Sequence, residues 1–379
     1  MYKRRTIMAI AILASLCLLG TEARAAVLKV PSSHSTIQNA VEAASPGDTI
    51  IVRPGEYYGA TVNKRVKILG IKAVINDGPH YGGPASVKFK AGFLLLEGSS
   101  GTQICGFTFD CPEVTSTADE ELVFPVFSRG VNNVTVKHNV IQNAVQGITN
   151  WHGSGWVIKS NKIRGGQAVS GGGIGIFIGS NDRTGANHNL IASNSIIGEP
   201  EAEDYSTPAI ALMSDARYDR SGGPVKGNRV HNNRCAFRSP SGIGVELTDL
   251  VGGDVVNNSV SGNRLTACSF GAALFGANSN CLMFNSLDNN SDAGVYISSE
   301  EENLGGDQNR INFNRIKNSE IGVWVEDEGC AENKIIFNCF WGNTTVDIKN
   351  LGTDTVIIGR GSVDEIDPPV ESSRTQPYQ

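Results

Sequence analysis

The chain has 379 residues, with 32 Lys and Arg against 38 Asp and Glu and a formal net charge of −6. An acidic balance argues against nucleic acid, which is met by a basic stripe, and against a polyanionic substrate unless a cation bridges. After residue 25 no apolar run approaches the ~20 residues of a membrane span, so a bilayer is not an expected partner either.

The first 25 residues read as a cleaved signal. Lys3-Arg4-Arg5 is a charged start, residues 7–19 are apolar, and Ala23-Arg24-Ala25 is a small-x-small cleavage site. Cleavage after Ala25 makes the mature chain secreted or periplasmic and leaves 28 basic against 37 acidic residues, net −9. The remaining cysteines are Cys105, Cys111, Cys235, Cys268, Cys281, Cys330 and Cys339. An exported chain can oxidise them. Disulfides and free thiols filling an apolar stack both stay open, and the odd count leaves one unpaired.

Residues 27–44 read as a cap. Ser35-Thr-Ile-Gln38 fits a capping box, and Ile37, Ala40, Val41 and Ala44 follow a helical period. A short helix there would cover the open end of a sheet. Gly47-Asp-Thr-Ile-Ile-Val-Arg-Pro-Gly-Glu-Tyr57 is a strand closed by a turn, and Val66-Lys-Ile-Leu69 is the next. Two irregular loops, 76–85 and 111–125, flank the strand-like Val87-Lys-Phe-Lys90 and Phe93-Leu-Leu-Leu96.

From Val131 one phrase recurs, as in Arg310-Ile-Asn-Phe-Asn314-Arg-Ile316. Aligned on its Asn it gives Asn139, Asn161, Asn194, Asn228, Asn258, Asn285, Asn314 and Asn338, spaced 22 to 34 residues apart. An aliphatic residue stands three before each and an apolar residue two after. A fixed phrase at such a period means a stacked solenoid. Same-face strand residues are an even number apart, so offsets of minus three and plus two put a bend at the Asn. Asn tolerates the left-handed backbone of a tight bend, and stacked at one corner the eight amides form a ladder along the axis.

A second phrase, usually opened by Gly, follows each corner: Gly147-Ile-Thr-Asn150, Gly175-Ile-Phe-Ile178, Ala209-Ile-Ala-Leu212, Gly244-Val-Glu-Leu247, Gly271-Ala-Ala-Leu274, Gly294-Val-Tyr-Ile297 and Gly322-Val-Trp-Val325. Their period-two alternation makes each a strand with one face inside. Each coil then has three short strands. The expected fold class is all-β, a parallel β-helix solenoid with an N-terminal capping helix. The domain plan is a signal (1–25), one solenoid (26–360) and a disordered tail (361–379).

These Asn corners, with the opening Thr36-Ile-Gln and Ala44-Ser-Pro-Gly-Asp-Thr-Ile-Ile-Val-Arg-Pro-Gly-Glu-Tyr57, resemble the pectin-lyase-like right-handed parallel β-helix proteins. The resemblance is narrower to the parallel-β-helix-repeat and NosD-type carbohydrate-binding and sugar-hydrolase group. It spans roughly residues 48–358 and is specific for fold rather than chemistry. It implies a right-handed coil and a substrate groove on the Gly-led strands.

On those strands Ile176/Ile178, Val245/Leu247, Val295/Ile297 and Val323/Val325 should face inward. One outward column then reads Thr149, Phe177, Ala211, Glu246, Ala273, Tyr296, Trp324, and the next reads Trp151, Gly179, Met213, Thr248, Phe275, Ser298, Glu326. Rings beside carboxylates suit the apolar faces and hydroxyl rims of sugars. Trp151, Phe177, Arg183, Glu246, Tyr296, Trp324 and Glu326 are therefore the expected contacts to a polysaccharide or oligosaccharide.

Just past three successive Gly-led strands stand Asp182, Asp215 and Asp249. Glycosidases use carboxylates ~5–5.5 Å apart for retention or ~6.5–9.5 Å for inversion, and stacked coils supply such spacings. Arg217 and Tyr218 nearby would serve a lyase. Asp and Asn are also the ordinary residues of turns, so a non-catalytic binding or surface-structural β-helix remains the alternative. His152 at a strand end is a further base candidate, and a turn histidine is the plainer reading. The Arg315-Ile-Lys317 tripeptide matches a polygalacturonase motif, but the Asp pair and Gly-His-Gly of that family are absent. No cofactor is required. The acid clusters 199–204, 300–302 and 326–328 leave Ca²⁺ as an alternative. Scattered His and two Met give no soft-metal site and little support to a NosD-like accessory role.

Overall fold

In a computed structural model the described residues are 25–82, 89–114, 121–169, 172–199, 207–217, 221–238, 242–252, 254–299 and 305–365. The signal segment before Ala25 and the chain after Glu365 lie outside them. The inward residues of successive strands repeat coil after coil, so each strand pairs in parallel with its counterpart one coil away. Two large sheets result. A 12-stranded sheet holds the Gly-led strands, and a 22-stranded sheet folds into two arms that meet at the Asn corner. One core runs the length of the coil, taking in Ile176, Ile178, Val245, Leu247, Val295, Ile297, Val323 and Val325 as expected. Each such fully buried aliphatic side chain contributes ~1.5–3 kcal/mol.

The register corrects the reading of the corners. The first arm stacks Val136, Ile158, Ile191, Val230, Val260, Leu282, Ile311 and Ile335. Val225 and Val255 instead pair in a separate two-stranded sheet, Pro224–Lys226 with Asp254–Val256. Two Asn ladders therefore exist. One runs Asn139–Asn161–Asn194–Asn233–Asn263–Asn285–Asn314–Asn338. The other runs Asn189–Asn228–Asn258–Asn280 and continues through Asn309 to Asn333. The eight-member set of the sequence analysis crossed from one ladder to the other at Asn228 and Asn258. The reason is arithmetic: inward residues recur every five positions across both corners (Val225, Val230, Cys235), so both corners obey the same offset rule.

The left-handed residue is also not the Asn. It is the residue before it, as in His138, Ser160, Phe284, Phe313 and Phe337. The Asn is spent on its side chain. Asn285 accepts from Asn263 N and Nδ2 at 2.9 and 3.0 Å, and its own Nδ2 donates to Val260 O and Asn314 Oδ1. The amides between Asn139 and Asn314 are buried and bonded to the coils on both sides.

At the N-terminal end Val27–Val30 pairs with Thr49–Val52, and the helix Ile37–Ala43 lies against the first coil. Its N-cap is Thr36, one residue later than the expected box, and Thr36 Oγ1 accepts from Asn39 N at 3.0 Å. Lys64 Nζ donates to the Glu42 and Ala44 carbonyls at the other end. At the C-terminal end the solenoid runs past the expected boundary at 360: Val363–Glu365 pairs with Val346–Asn350. All seven described cysteines are free thiols.

Replacing Asn285 by Leu strands buried amides on both neighbours and should cost ~1–3 kcal/mol. Thr344→Ala, at an exposed site, should leave thermal unfolding unchanged, and equal melting temperatures for the two variants would contradict the ladder. Deleting residues 27–44 exposes the apolar end of the stack. Light scattering should show aggregation, and a monomeric truncation would deny the helix its capping role.

Candidate functional site

Alternation within each Gly-led strand and parallel register between strands together fix the outward columns. Thr149, Phe177, Ala211, Glu246, Ala273, Tyr296 and Trp324 pair one to the next as expected, and Lys349 follows. The second column runs Arg129, Trp151, Gly179, Met213, Thr248, Phe275, Ser298. At the N-terminal side the face is covered: Tyr81 stacks on Phe89 with centroids 5.1 Å apart and packs on Phe127.

Aromatic groups bracket the middle of this face. On one side Trp151 packs on Phe177 at 4.5 Å, with the Arg129 guanidinium 5.9 Å from the Trp151 ring. On the other, Tyr296 stacks on Phe270 at 4.5 Å and meets Trp324 edge-on, while Lys349 Nζ sits 4.5 Å from the Trp324 ring. Between them Glu246 stands in its column with Ala211 before it and Ala273 after. It is 3% exposed, and Thr248 Oγ1 donates to Oε1 at 2.6 Å.

Glu326 is hydrogen-bonded by the Tyr296 hydroxyl. Burial pushes its carboxyl up from the usual range, Asp327 adds to this, and Lys349 opposes it. A carboxyl held above its usual range thus lies beside the Tyr296–Trp324 pair.

The three aspartates do not form one column. Ser180 pairs with Ser214, and Ser214 with Asp249. Asp215 is thus one step past Asp249, opposite Leu250, and Asp182 is two steps past Ser180. The strands Pro208–Asp215 and Ile243–Leu250 run on through their acids, whereas Ile174–Ser180 ends before its own. Strand length, which sequence spacing did not reveal, sets the offset. Asp215 and Asp249 remain neighbours on adjacent strands, ~6 Å apart at Cα from strand geometry, and both are buried at 2% and 4% exposure. Glu246 is ~14 Å from Asp215 by the same geometry. Arg217 pairs with Asp215 through Nε at 3.0 Å. Asp215, Arg217, Glu246 and Asp249 each engage further groups. Arg183 is exposed, and Tyr218 lies outside the described residues.

Asp182 belongs to a different group. Its Oδ1 accepts from Thr184 N at 2.8 Å and from Thr184 Oγ1, and lies 3.1 Å from His152 Nδ1. Burial alone would raise its carboxyl, but the Thr184 bonds, His152 and Arg129 outweigh it and hold it low. Ser180 Oγ is 3.2 Å from the same Nδ1 and donates to the Asp182 carbonyl. The Nδ1–H tautomer therefore faces the carboxylate, and Nε2 is buried. His152 is 5% exposed and left-handed at φ 62. It opens on a cleft with Asn132, Asn133, Thr184 and His188. Sequence spacing ranked this histidine low because Asp182 and Ser180 are a full coil away.

The His152 pKa lies below its ordinary 6.5, chiefly through burial, with Arg129 adding and Asp182 opposing. Between the two values the unfolded chain binds a proton that the folded chain resists. Stability should therefore fall as pH drops below 6.5. His152→Gln should flatten that limb in urea unfolding, and an unchanged slope would contradict the buried neutral imidazole.

No group of three or more His, Cys, Asp or Glu suited to a metal occurs among the described residues. Of the acid clusters weighed for Ca²⁺, 300–302 lies outside them, as does most of 199–204. No described helix is long and apolar enough to cross a membrane.

Residues 225–362 match the family model described as right handed beta helix region. By fold the chain is a right-handed parallel β-helix protein. Similar solved structures include the Azotobacter vinelandii mannuronan C-5 epimerase AlgE6 A-module, at 14% identity over 85% of this chain and 91% of that one, TM-score 0.50. The catalytic domain of a GH87 alpha-1,3-glucanase in complex with nigerose matches at 14% identity, 90% and 68% coverage and TM-score 0.50. A variant of the periplasmic alginate epimerase AlgG matches at 12% identity, 90% and 84% coverage and TM-score 0.50. At such identities the likeness is one of fold. No curated protein matches the chain by sequence.

Proposed function

We propose that this chain is an exported protein that binds a polysaccharide along the outward face of the Gly-led sheet and cleaves it there, as a hydrolase or lyase. The observation that carries the reading is the outward face itself, where Glu246 and Asp215 stand between the Trp151–Phe177 and Tyr296–Trp324 ring groups. Asp215 is opposite Leu250 and Asp249 opposite Ser214, so alternation turns Asp215 to the outward side and Asp249 to the other, and the two are not a facing carboxylate pair. Asp215, ion-paired to Arg217, takes the part of base or nucleophile. Glu246, in its column between Ala211 and Ala273, takes sugar hydroxyls. The rings supply stacking that is present before and during reaction alike. Structures of similar fold that act on mannuronan or hold nigerose support the substrate class, and the signal segment suits an extracellular polymer.

A panel of polysaccharides, read by reducing ends and by ultraviolet absorbance of unsaturated sugars, tests this. On an active substrate Asp215→Asn should lose ~100-fold or more of kcat, on the scale of a general acid or base. Trp324→Ala should raise KM with kcat nearly unchanged. Full turnover in Asp215→Asn would leave only the binding reading.

A further inference from the structure

The outward side of the two-armed sheet is a second surface, distinct from the Gly-led face. Along the first arm one column reads Arg229–Ser259–Cys281–Arg310–Lys334. Across the Asn corner another reads Lys162–Ser195–Arg234–Arg264–Ser286–Arg315. Arg229, Arg234, Arg264, Arg310 and Arg315 are all exposed. Among the described residues of these arms between Thr135 and Ile336, the only outward strand carboxylate is Asp288, which Lys317 pairs at 2.9 Å. Asp254 and Glu332 lie outside the arms, toward the second Asn corner. A chain with a net negative charge thus carries one strongly positive face. The field is felt locally: beyond the effect of burial, Arg229 and Lys159 push the His231 imidazole further down.

A ridge of rings runs along the corner between the two columns. Phe284, Phe313 and Phe337 are 61%, 48% and 55% exposed. They stack with centroids 5.5 and 5.7 Å apart and planes within 13° and 28°. All three hold the left-handed backbone before a ladder Asn, where Ser, His, Asn or Gly serves in other coils. Bulky rings at φ near 55 are uncommon, and nothing in the core uses them. Beside Phe313, Arg310 and Arg315 stand on either flank, and a shallow cavity floored by Ser259 and Cys281 opens beside Arg310.

We propose that this face binds an acidic polysaccharide, a uronan, laid along the solenoid axis. Rungs ~4.8 Å apart repeat on the scale of one sugar ring, so carboxylates on successive sugars meet guanidinium groups on successive or alternate rungs. Arginine holds a carboxylate through two parallel hydrogen bonds. The ridge offers ring edges to the apolar C–H faces of pyranoses. Nucleic acid fits less well, because its bases stack on open ring faces and here the faces are taken by one another. An anionic bilayer fits less well too, because a flat surface meets the ridge rather than both arms.

The test is binding of the full mature chain to polygalacturonate, with single-stranded DNA and phosphatidylglycerol vesicles as competing probes, at low and moderate salt. Wild type should prefer polygalacturonate, and salt should weaken the complex. The triple variant Arg234→Glu, Arg264→Glu, Arg315→Glu should bind at least ~10-fold more weakly, as lost charge-assisted pairs require, with an unchanged melting temperature. Reversing Arg53, Arg65 and Lys72 instead, all exposed, changes net charge equally but at the N-terminal end of the solenoid, five or more rungs from Arg234, and should leave binding within about twofold, surface charges ~24 Å away being screened. Phe313→Ala should weaken binding without changing its salt dependence. Equal loss in the two triple variants, no loss in the first, or tighter binding of DNA or vesicles by wild type would each overturn the proposal. None of these outcomes bears on turnover at Asp215.

Discussion

Every coil must hydrogen-bond to the coil before it in fixed register, and this molecule depends on that repetition. A buried coil edge leaves polar backbone groups without partners, which a core does not tolerate. The parallel strands satisfy most of them, but corners break the strands. The two Asn columns complete the task there. Each Oδ1 takes the backbone N–H and the side-chain N–H of the Asn one coil earlier, so the bend is bonded as continuously as the strand. One slipped rung would misplace all later amides, and the ladders thereby fix the register for every other side chain.

Fixed register turns sequence positions into columns, and columns let one chain separate opposed chemistries. Carboxylates and rings gather on the Gly-led face and its turns: Asp215, Glu246, Asp249, Glu326 with Trp151, Tyr296 and Trp324. Basic residues gather on the two arms. The net charge, the first quantity read from the composition, hides this. It argued against acidic polymers, while the fold presents an arm face on which basic residues outnumber acids. A sum over the chain says nothing about which side of a strand each charge occupies.

The same repetition builds sites from residues far apart in the chain. His152, Ser180 and Asp182 meet because Trp151 pairs with Gly179 across one coil. Asp215 and Glu246 share the outward face because Ala211 pairs with Glu246 and Asp215 lies four residues along the same strand. Glu326 meets the Tyr296 hydroxyl from the coil below, while burial and Asp327 beside it raise its pKa.

The sequence by itself determined the solenoid, the inward face of each Gly-led strand, the outward columns from Thr149 to Trp324 and the N-terminal cap. Each rests on a local period, two along a strand and 3.6 in the cap helix, which a linear string displays. Only the tertiary structure separated the two Asn ladders, because inward residues five apart gave both corners one signature. It alone placed the left-handed turn on the residue before each Asn, where Phe284 and His138 serve equally and so leave no composition signal. It alone offset Asp182, Asp215 and Asp249, because their alignment depends on where each strand stops pairing. It alone gathered five arginines of three coils onto one face, since coil lengths vary from 22 to 39 residues and conceal a spacing that hydrogen bonding makes uniform.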